Sequence, residues 1–285
     1  MERWIQIPRP IKYGAGMWLI LFLLAAAVHA QDAKEILKQA MERDRVDYDL
    51  RNTYMFEEKT VVRFYEKDGR VKETKTYVDE VFHVDGSEIN RQIVKDGRSL
   101  TQKEAAEEQK KVDKEIAKIK NESPKDRAKR RGETEKDKRE ELEGREQVLR
   151  AYDLQLLGSE TVNGRECWKL SGNPKAGFKG KGRRGEQMEK MKGLAWIDKR
   201  TYQWVRIDLQ TTDTISYGWF ILRLQPNAKI VVDQTLINNE VWMPKHVDVR
   251  ADARLLGKMS RVSVEVSFEN FRKFASESRL ITELQ

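Results

Sequence analysis

The chain has 285 residues, 36% of them charged, with 55 Lys and Arg against 47 Asp and Glu for a formal net charge of +8. A single cysteine, Cys167, excludes an internal disulfide, and three histidines far apart in the sequence, outside any metal-ligand spacing, point away from a zinc centre. The length suits one large domain or two small ones, and 8% aromatic residues suffice for a packed core.

Arg3, Arg9 and Lys12 form a positively charged start, Met17 to Val28 carries no charge, and Val28-His29-Ala30 places small residues at −3 and −1 of a cleavage site. Twelve apolar residues are short for a bilayer span, which takes roughly 20. The spacing therefore predicts a cleaved signal peptide over 1–30 and a periplasmic mature chain from Gln31. No cysteine near the cleavage point offers a site for lipid attachment.

Asp32 followed by Glu35 predicts a helix start, and Ile36, Leu37, Ala40 and Met41 give that helix one apolar face. Thr60 to Glu66, Lys67-Asp68-Gly69-Arg70 and Val71 to Phe82 then read as a hairpin, with a third strand near Asn90 to Lys95. Residues 101–150 differ in kind. They hold 16 Lys and Arg, 14 Asp and Glu, no aromatic and six large aliphatic residues. Ala105, Val112, Ile116 and Ile119 make a thin helical stripe, and Ser123-Pro124 starts a second helix supported by pairs such as Asp126/Arg130 and Glu146/Arg150. The expectation is a solvated helical insert that adds little to the core, so that its replacement by a short linker leaves the sheet folded.

Strands resume at Tyr152, and Leu154 to Val162, Asn163-Gly164 and Arg165 to Ser171 form the clearest hairpin. The segment 174–193 reads as a mobile loop. Its Lys175, Lys179, Lys181, Arg183, Arg184, Lys190 and Lys192 face only Glu186 and Glu189. Beyond it the alternation is strict. Val205, Ile207 and Leu209, then Val247, Val249, Ala251 and Ala253, then Val262, Val264, Val266 and Phe268 each oppose polar neighbours. Such period-2 runs predict an antiparallel sheet with one wet and one buried face. That buried face either forms a filled core or curves around an apolar cavity.

Three stretches carry a resemblance: Lys95-Asp96-Gly97-Arg98-Ser99-Leu100, Gly193-Leu194-Ala195-Trp196-Ile197-Asp198 and Asn239-Glu240-Val241-Trp242-Met243-Pro244. With the order of elements around them, the chain resembles the outer-membrane lipoprotein-sorting proteins, the LolA-like and RseB-like group, in a long version with a charged helical insert. The resemblance covers about 32–100 and 150–275. It implies an α+β fold, a curved and mostly antiparallel sheet forming an open half-barrel with an N-terminal helix and an inserted arm. It also implies one domain over 31–285, interrupted at 101–150.

The function expected is a non-enzymatic carrier or sensor of lipid or lipoprotein acyl chains. Val205, Ile207, Leu209, Val247, Val249, Val262, Val264, Val266 and Phe268 would form the ligand wall, while Lys179, Lys181, Arg183 and Arg184 would contact anionic lipid headgroups or a membrane surface. No Gly-x-Ser-x-Gly, His-Glu-x-x-His or phosphate-cradling loop occurs, so no catalytic residue, cofactor or metal is expected. Export also argues against nucleic acid as a partner. The competing reading is an envelope structural or interaction module with a filled core, whose insert binds an envelope protein partner.

Overall fold

The computed structural model describes residues 32–273 apart from 46, 48, 49, 218–221, 256 and 257. The expected signal peptide lies outside the described residues. Residues 32–45 are helical and form α1, in line with the helix expected after Asp32. It is followed by β1 (Tyr54–Tyr65), β2 (Val71–Val84), β3 (Ser87–Lys95) and the short β4 (Arg98–Ser99). The insert supplies α2 (Gln102–Lys120) and α3 (Pro124–Ala151). Then come β5 (Tyr152–Val162), β6 (Arg165–Pro174), α4 (Gly182–Met188), β7 (Met191–Asp198) and β8 (Trp204–Thr211). The chain closes with β9 (Ile215–Tyr217), β10 (Leu222–Leu224), β11 (Lys229–Ile237), β12 (Val241–Leu255) and β13 (Lys258–Lys273).

All strands join one antiparallel sheet in the order β4-β3-β2-β1-β13-β12-β11-β8-β7-β6-β5, with β9 and β10 attached beside β12. Its edges, β4 and β5, do not pair with each other, which makes the curved sheet an open half-barrel. The hairpins turn where the sequence supplies left-handed conformers. Asp85-Gly86, Asp96-Gly97 and Asn163-Gly164 each hold two consecutive residues at positive φ, the pattern of a tight primed turn.

The insert is not an excursion. It joins β4 to β5, which stand at opposite edges of the sheet. Ten strand spacings of about 4.8 Å put those edges roughly 48 Å apart along the sheet. The 28 residues of α3 rise about 42 Å, a comparable span. Both ends of the insert are anchored. Thr101 and Glu104 close a reciprocal cap at the start of α2, and Ser123 with Pro124 starts α3 as expected. Near the start of α3, Arg130 donates to the Asp85 carbonyl at 2.8 Å and to its carboxylate at 2.9 Å, fastening the helix to the β2–β3 turn. At the far end Val148 and Leu149 pack with Leu37 and Leu170.

The expectation of a marginal contribution to the core is thus corrected. Val112 and Ile119 are buried against Met55, Phe82, Val84 and Ile89, with Ile116 beside them, although Ala105 is exposed. A thin stripe suffices here because β2 and β3 provide the bulk of that cluster. The polar middle of α3 crosses between the two anchors as a solvated strut, as a helix without an apolar face can.

Register settles which residues share a face. One row runs Val62, Val264, Val249, Ile230 and Leu209 across β1, β13, β12, β11 and β8; the next runs Thr60, Val266, Val247, Val232 and Ile207. Directly opposed residues of antiparallel strands point the same way, so these rows form one apolar belt. Val262 and Phe268 extend it, Phe268 meeting Phe56 edge to face at 5.8 Å. The opposite face carries the expected polar set, including the pairs Arg63–Glu265 at 2.8 Å and Arg250–Asp248 at 2.9 Å.

Val205 is the exception. A bulge separates the pairs Trp196–Arg206 and Ile197–Trp204, leaving Val205 as the extra residue. An extra residue breaks the alternation locally. Val205 is therefore buried against Cys167, Trp196 and Trp242, and Trp204 joins the cluster under α1 instead.

Candidate functional site

The site forms where helices cover one wing of this apolar face. Ala33, Ile36, Leu37 and Ala40, one face of α1, are buried on Leu170 and Ile197 of β6 and β7. The end of α3 and the short α4 lie alongside. Between them and the sheet remains a cleft of about 290 Å³, walled by Leu37, Val148, Met188, Leu154, Trp204 and Leu209. Two glycines help to make this space. Gly172 and Gly193 face each other across β6 and β7 and both line the cleft. A Cβ on Gly193 would stand 2.7 Å from Leu209 Cδ2 and 2.8 Å from the Asp208 carbonyl oxygen, too close for any side chain.

The cleft is a low-dielectric environment. Tyr152, on its wall, donates from its hydroxyl to the Met188 carbonyl at 3.2 Å, and burial pushes its phenol up to about 12. A methylene occupies about the volume of a liquid water, roughly 30 Å³, so the cleft holds about ten methylenes, one acyl chain's worth. Beside it lies a second chamber of about 310 Å³ that shares Val148, Met188, Trp204 and Ile207 with the first. Its remaining walls include Asp44, Arg184 and Gln234.

Of the residues expected to form the wall, Ile207 and Leu209 line this cleft. Val247, Val249, Val262, Val264, Val266 and Phe268 lie on the same face of the sheet, further across it, and are half-buried. Val205 lies off that face, for the reason given above. The sequence pattern did not point to Trp204, whereas Met188 and Met191 stood out as apolar residues among the charges of the basic segment. Leu37 and Val148 carried a signal, since Leu37 stands on the apolar face of α1 and Val148-Leu149 is the one large apolar pair at the end of α3.

The basic segment differs from the mobile loop expected. Gln147 accepts from Lys181 N–H at 2.7 Å and donates to its carbonyl at 3.2 Å. Glu189 accepts from Gly180 N–H at 2.8 Å, and α4 fills the interval. Glycine serves here for close approach: a Cβ on Gly180 would stand 2.1 Å from the Gly185 carbonyl carbon. Lys179, Lys181, Arg183 and Arg184 are all exposed on this ordered segment, and Arg184 reaches the second chamber.

The stretches that carried the family resemblance hold turns and core. Asp198, 3% exposed, accepts from Arg200 N–H, Thr201 N–H and the Thr201 hydroxyl at 2.7–3.0 Å, closing the turn into β8. Val241, Trp242 and Met243 are buried, and Glu240 bonds Lys273 at 2.7 Å. Cys167 is fully buried, and burial pushes its thiol up to about 11, an unreactive state at neutral pH.

No family model and no curated protein matches the chain. Among solved structures it is similar to a putative outer membrane lipoprotein-sorting protein domain from Vibrio parahaemolyticus, at 12% identity and a TM-score of 0.38 over 90% of this chain and 98% of that one. It is similar to a LolA superfamily protein from Nitrosomonas europaea at 10% identity and a TM-score of 0.29, covering 87% and 96%. It is also similar to a chain of the MucA/MucB complex from Pseudomonas aeruginosa at 13% identity and a TM-score of 0.23, covering 86% and 100%. Chains alike at this level need share no function.

Proposed function

We propose that this protein is a periplasmic, non-enzymatic acyl-chain binder, a carrier or sensor of lipid or lipoprotein chains. The observation that carries the reading is the cleft of about 290 Å³ between α1, α3, α4 and the sheet, opening beside a half-buried apolar belt. Burying a methylene is worth about 0.8 kcal/mol, so ten give about 8 kcal/mol gross. Association costs of roughly 4 kcal/mol or more reduce this to weak or moderate affinity. Affinity of that order suits a protein that must release what it takes up. The periplasmic assignment rests on the residues of 1–30, whose charge and apolar run have the signal-peptide form.

Native mass spectrometry of gently purified protein tests the reading, with titration of a spin-labelled fatty acid. A bound chain is expected. Ala195→Phe, which fills the cleft without adding charge, is expected to abolish binding while the protein still unfolds cooperatively. Val264→Trp, further across the belt, probes whether the chain extends there. A native protein that binds no chain in either assay overturns the proposal.

A further inference from the structure

Resting on the acyl-binding reading above, we propose that the second chamber is a head-group subsite, and that the ligand is a single-chain amphiphile whose head carries one negative charge and one hydrogen-bond donor. Four shared wall residues, Val148, Met188, Trp204 and Ile207, put this chamber directly beside the apolar cleft, where the head of a bound chain would emerge. Its charge is specific. The one acidic wall residue, Asp44, is paired with Arg51. Arg184 has no hydrogen-bond or ion-pair partner among the described residues. Its stem lies against α3 at Gly144, where a Cβ would stand 3.7 Å from Arg184 Cδ. A free guanidinium facing a chamber with no other unpaired charge selects an anion, preferably a carboxylate or phosphate that takes two of its N–H groups.

The second requirement comes from Gln234. Gln234 lines the same chamber, and its buried side-chain oxygen has no hydrogen-bond partner among the described residues. A buried acceptor left unpaired is costly, and a ligand amide N–H or hydroxyl would satisfy it. The limit to one chain follows from volume, because a cleft holding about ten methylenes has no room for a second. An acylated amino acid and a lysophospholipid with a glycerol head share this chemistry: one chain, one anion, one donor.

Calorimetric titration of the purified protein with N-dodecanoylglycine, its methyl ester, 12-carbon lysophosphatidylglycerol and dodecylamine tests this. One equivalent of the acid, of the lysophospholipid, or of both is expected to bind; which of them binds identifies the head as carboxylate or phosphate. The ester and the amine should bind at least about tenfold more weakly, as loss of a charge-assisted bond implies. Arg184→Gln should weaken the anionic probes about tenfold and leave the ester unchanged, with Arg184→Lys restoring part of the loss. Gln234→Leu should weaken N-dodecanoylglycine relative to dodecanoate. Equal binding of acid and ester to the native protein, or a loss on Arg184→Gln that is the same for both, overturns the head-group subsite while leaving the acyl site standing. Failure of every probe, the neutral ester included, overturns the acyl site and this proposal with it.

Discussion

Gln147 and Lys181 are joined at two points: Lys181 N–H donates to Gln147 Oε1 at 2.7 Å, and Gln147 Nε2 donates to the Lys181 carbonyl at 3.2 Å. Gln147 is 7% exposed, so this one amide takes the place of water for the backbone that leads into α4. Gln147→Leu keeps the volume and removes both bonds. The loss expected is about 1–2 kcal/mol, two part-buried hydrogen bonds at about 1 kcal/mol each. Hydrogen exchange should show fast amides over 180–188 and unchanged protection in β12 and β13. Unchanged exchange over 180–188 would mean that the segment is held by other contacts.

Glycine has opposite meanings at two positions. Gly132 lies within α3 with nothing near the position of a Cβ, so Gly132→Ala should stabilise by about 0.5–1 kcal/mol through helix propensity. At Gly185 a Cβ would stand 2.6 Å from Gln147 Oε1 and from the Gly180 carbonyl carbon, with backbone on one side. Gly185→Ala should therefore destabilise and loosen α4. Thermal unfolding of the two variants should move in opposite directions; a rise for both would show that the α4 contact yields easily.

The charged insert is expected to be indispensable. A short linker in place of 101–150 would have to pass from one edge of the sheet to the other, ten strand spacings of about 4.8 Å along its curve, with an extended residue reaching at most about 3.6 Å. Such a deletion should lose cooperative unfolding. At single-residue scale, Ile119→Ala should cost about 2–4 kcal/mol although it sits in a helix of mostly Lys and Glu. A urea midpoint within error of the parent would mean that α2 contributes no core.

Glu58 and Asp79 stand directly opposite each other on β1 and β2. Burial, and after it Asp79, pushes the Glu58 carboxyl above its ordinary range, and burial followed by Glu108 on α2 does the same for Asp79. Carboxyls raised in this way hold protons more readily when folded. The stability they contribute is fully present below the unfolded pKa of about 4 and is lost as pH rises through the folded value. Glu58→Gln should therefore raise stability at pH 7 and flatten the pH dependence between about 4 and neutrality. Parallel stability curves for variant and parent across that range would contradict the coupling.

Much of the sheet was legible in the residues themselves. Strict alternation in Val247–Ala253 and Val262–Phe268 fixes which side chains share a face, because strand geometry has a period of two. The Asp-Gly and Asn-Gly pairs mark turns because those residues tolerate positive φ. Ser123-Pro124 likewise starts α3 by local chemistry alone. Other features depend on partners distant in the chain. Val205 leaves the apolar face through a bulge, which depends on how β8 pairs with β7 and leaves no mark on its own alternation. The basic segment is ordered because Gln147, 34 residues earlier, reaches Lys181. The insert becomes a strut only because β4 and β5 end at opposite edges of the sheet. The cleft needs α1, the end of α3, α4 and the Gly172–Gly193 pair brought together, a volume no single segment encodes. Periodicity and turn chemistry are local and can be read along the chain, whereas strand order, bulges and enclosed space are fixed only when distant segments meet.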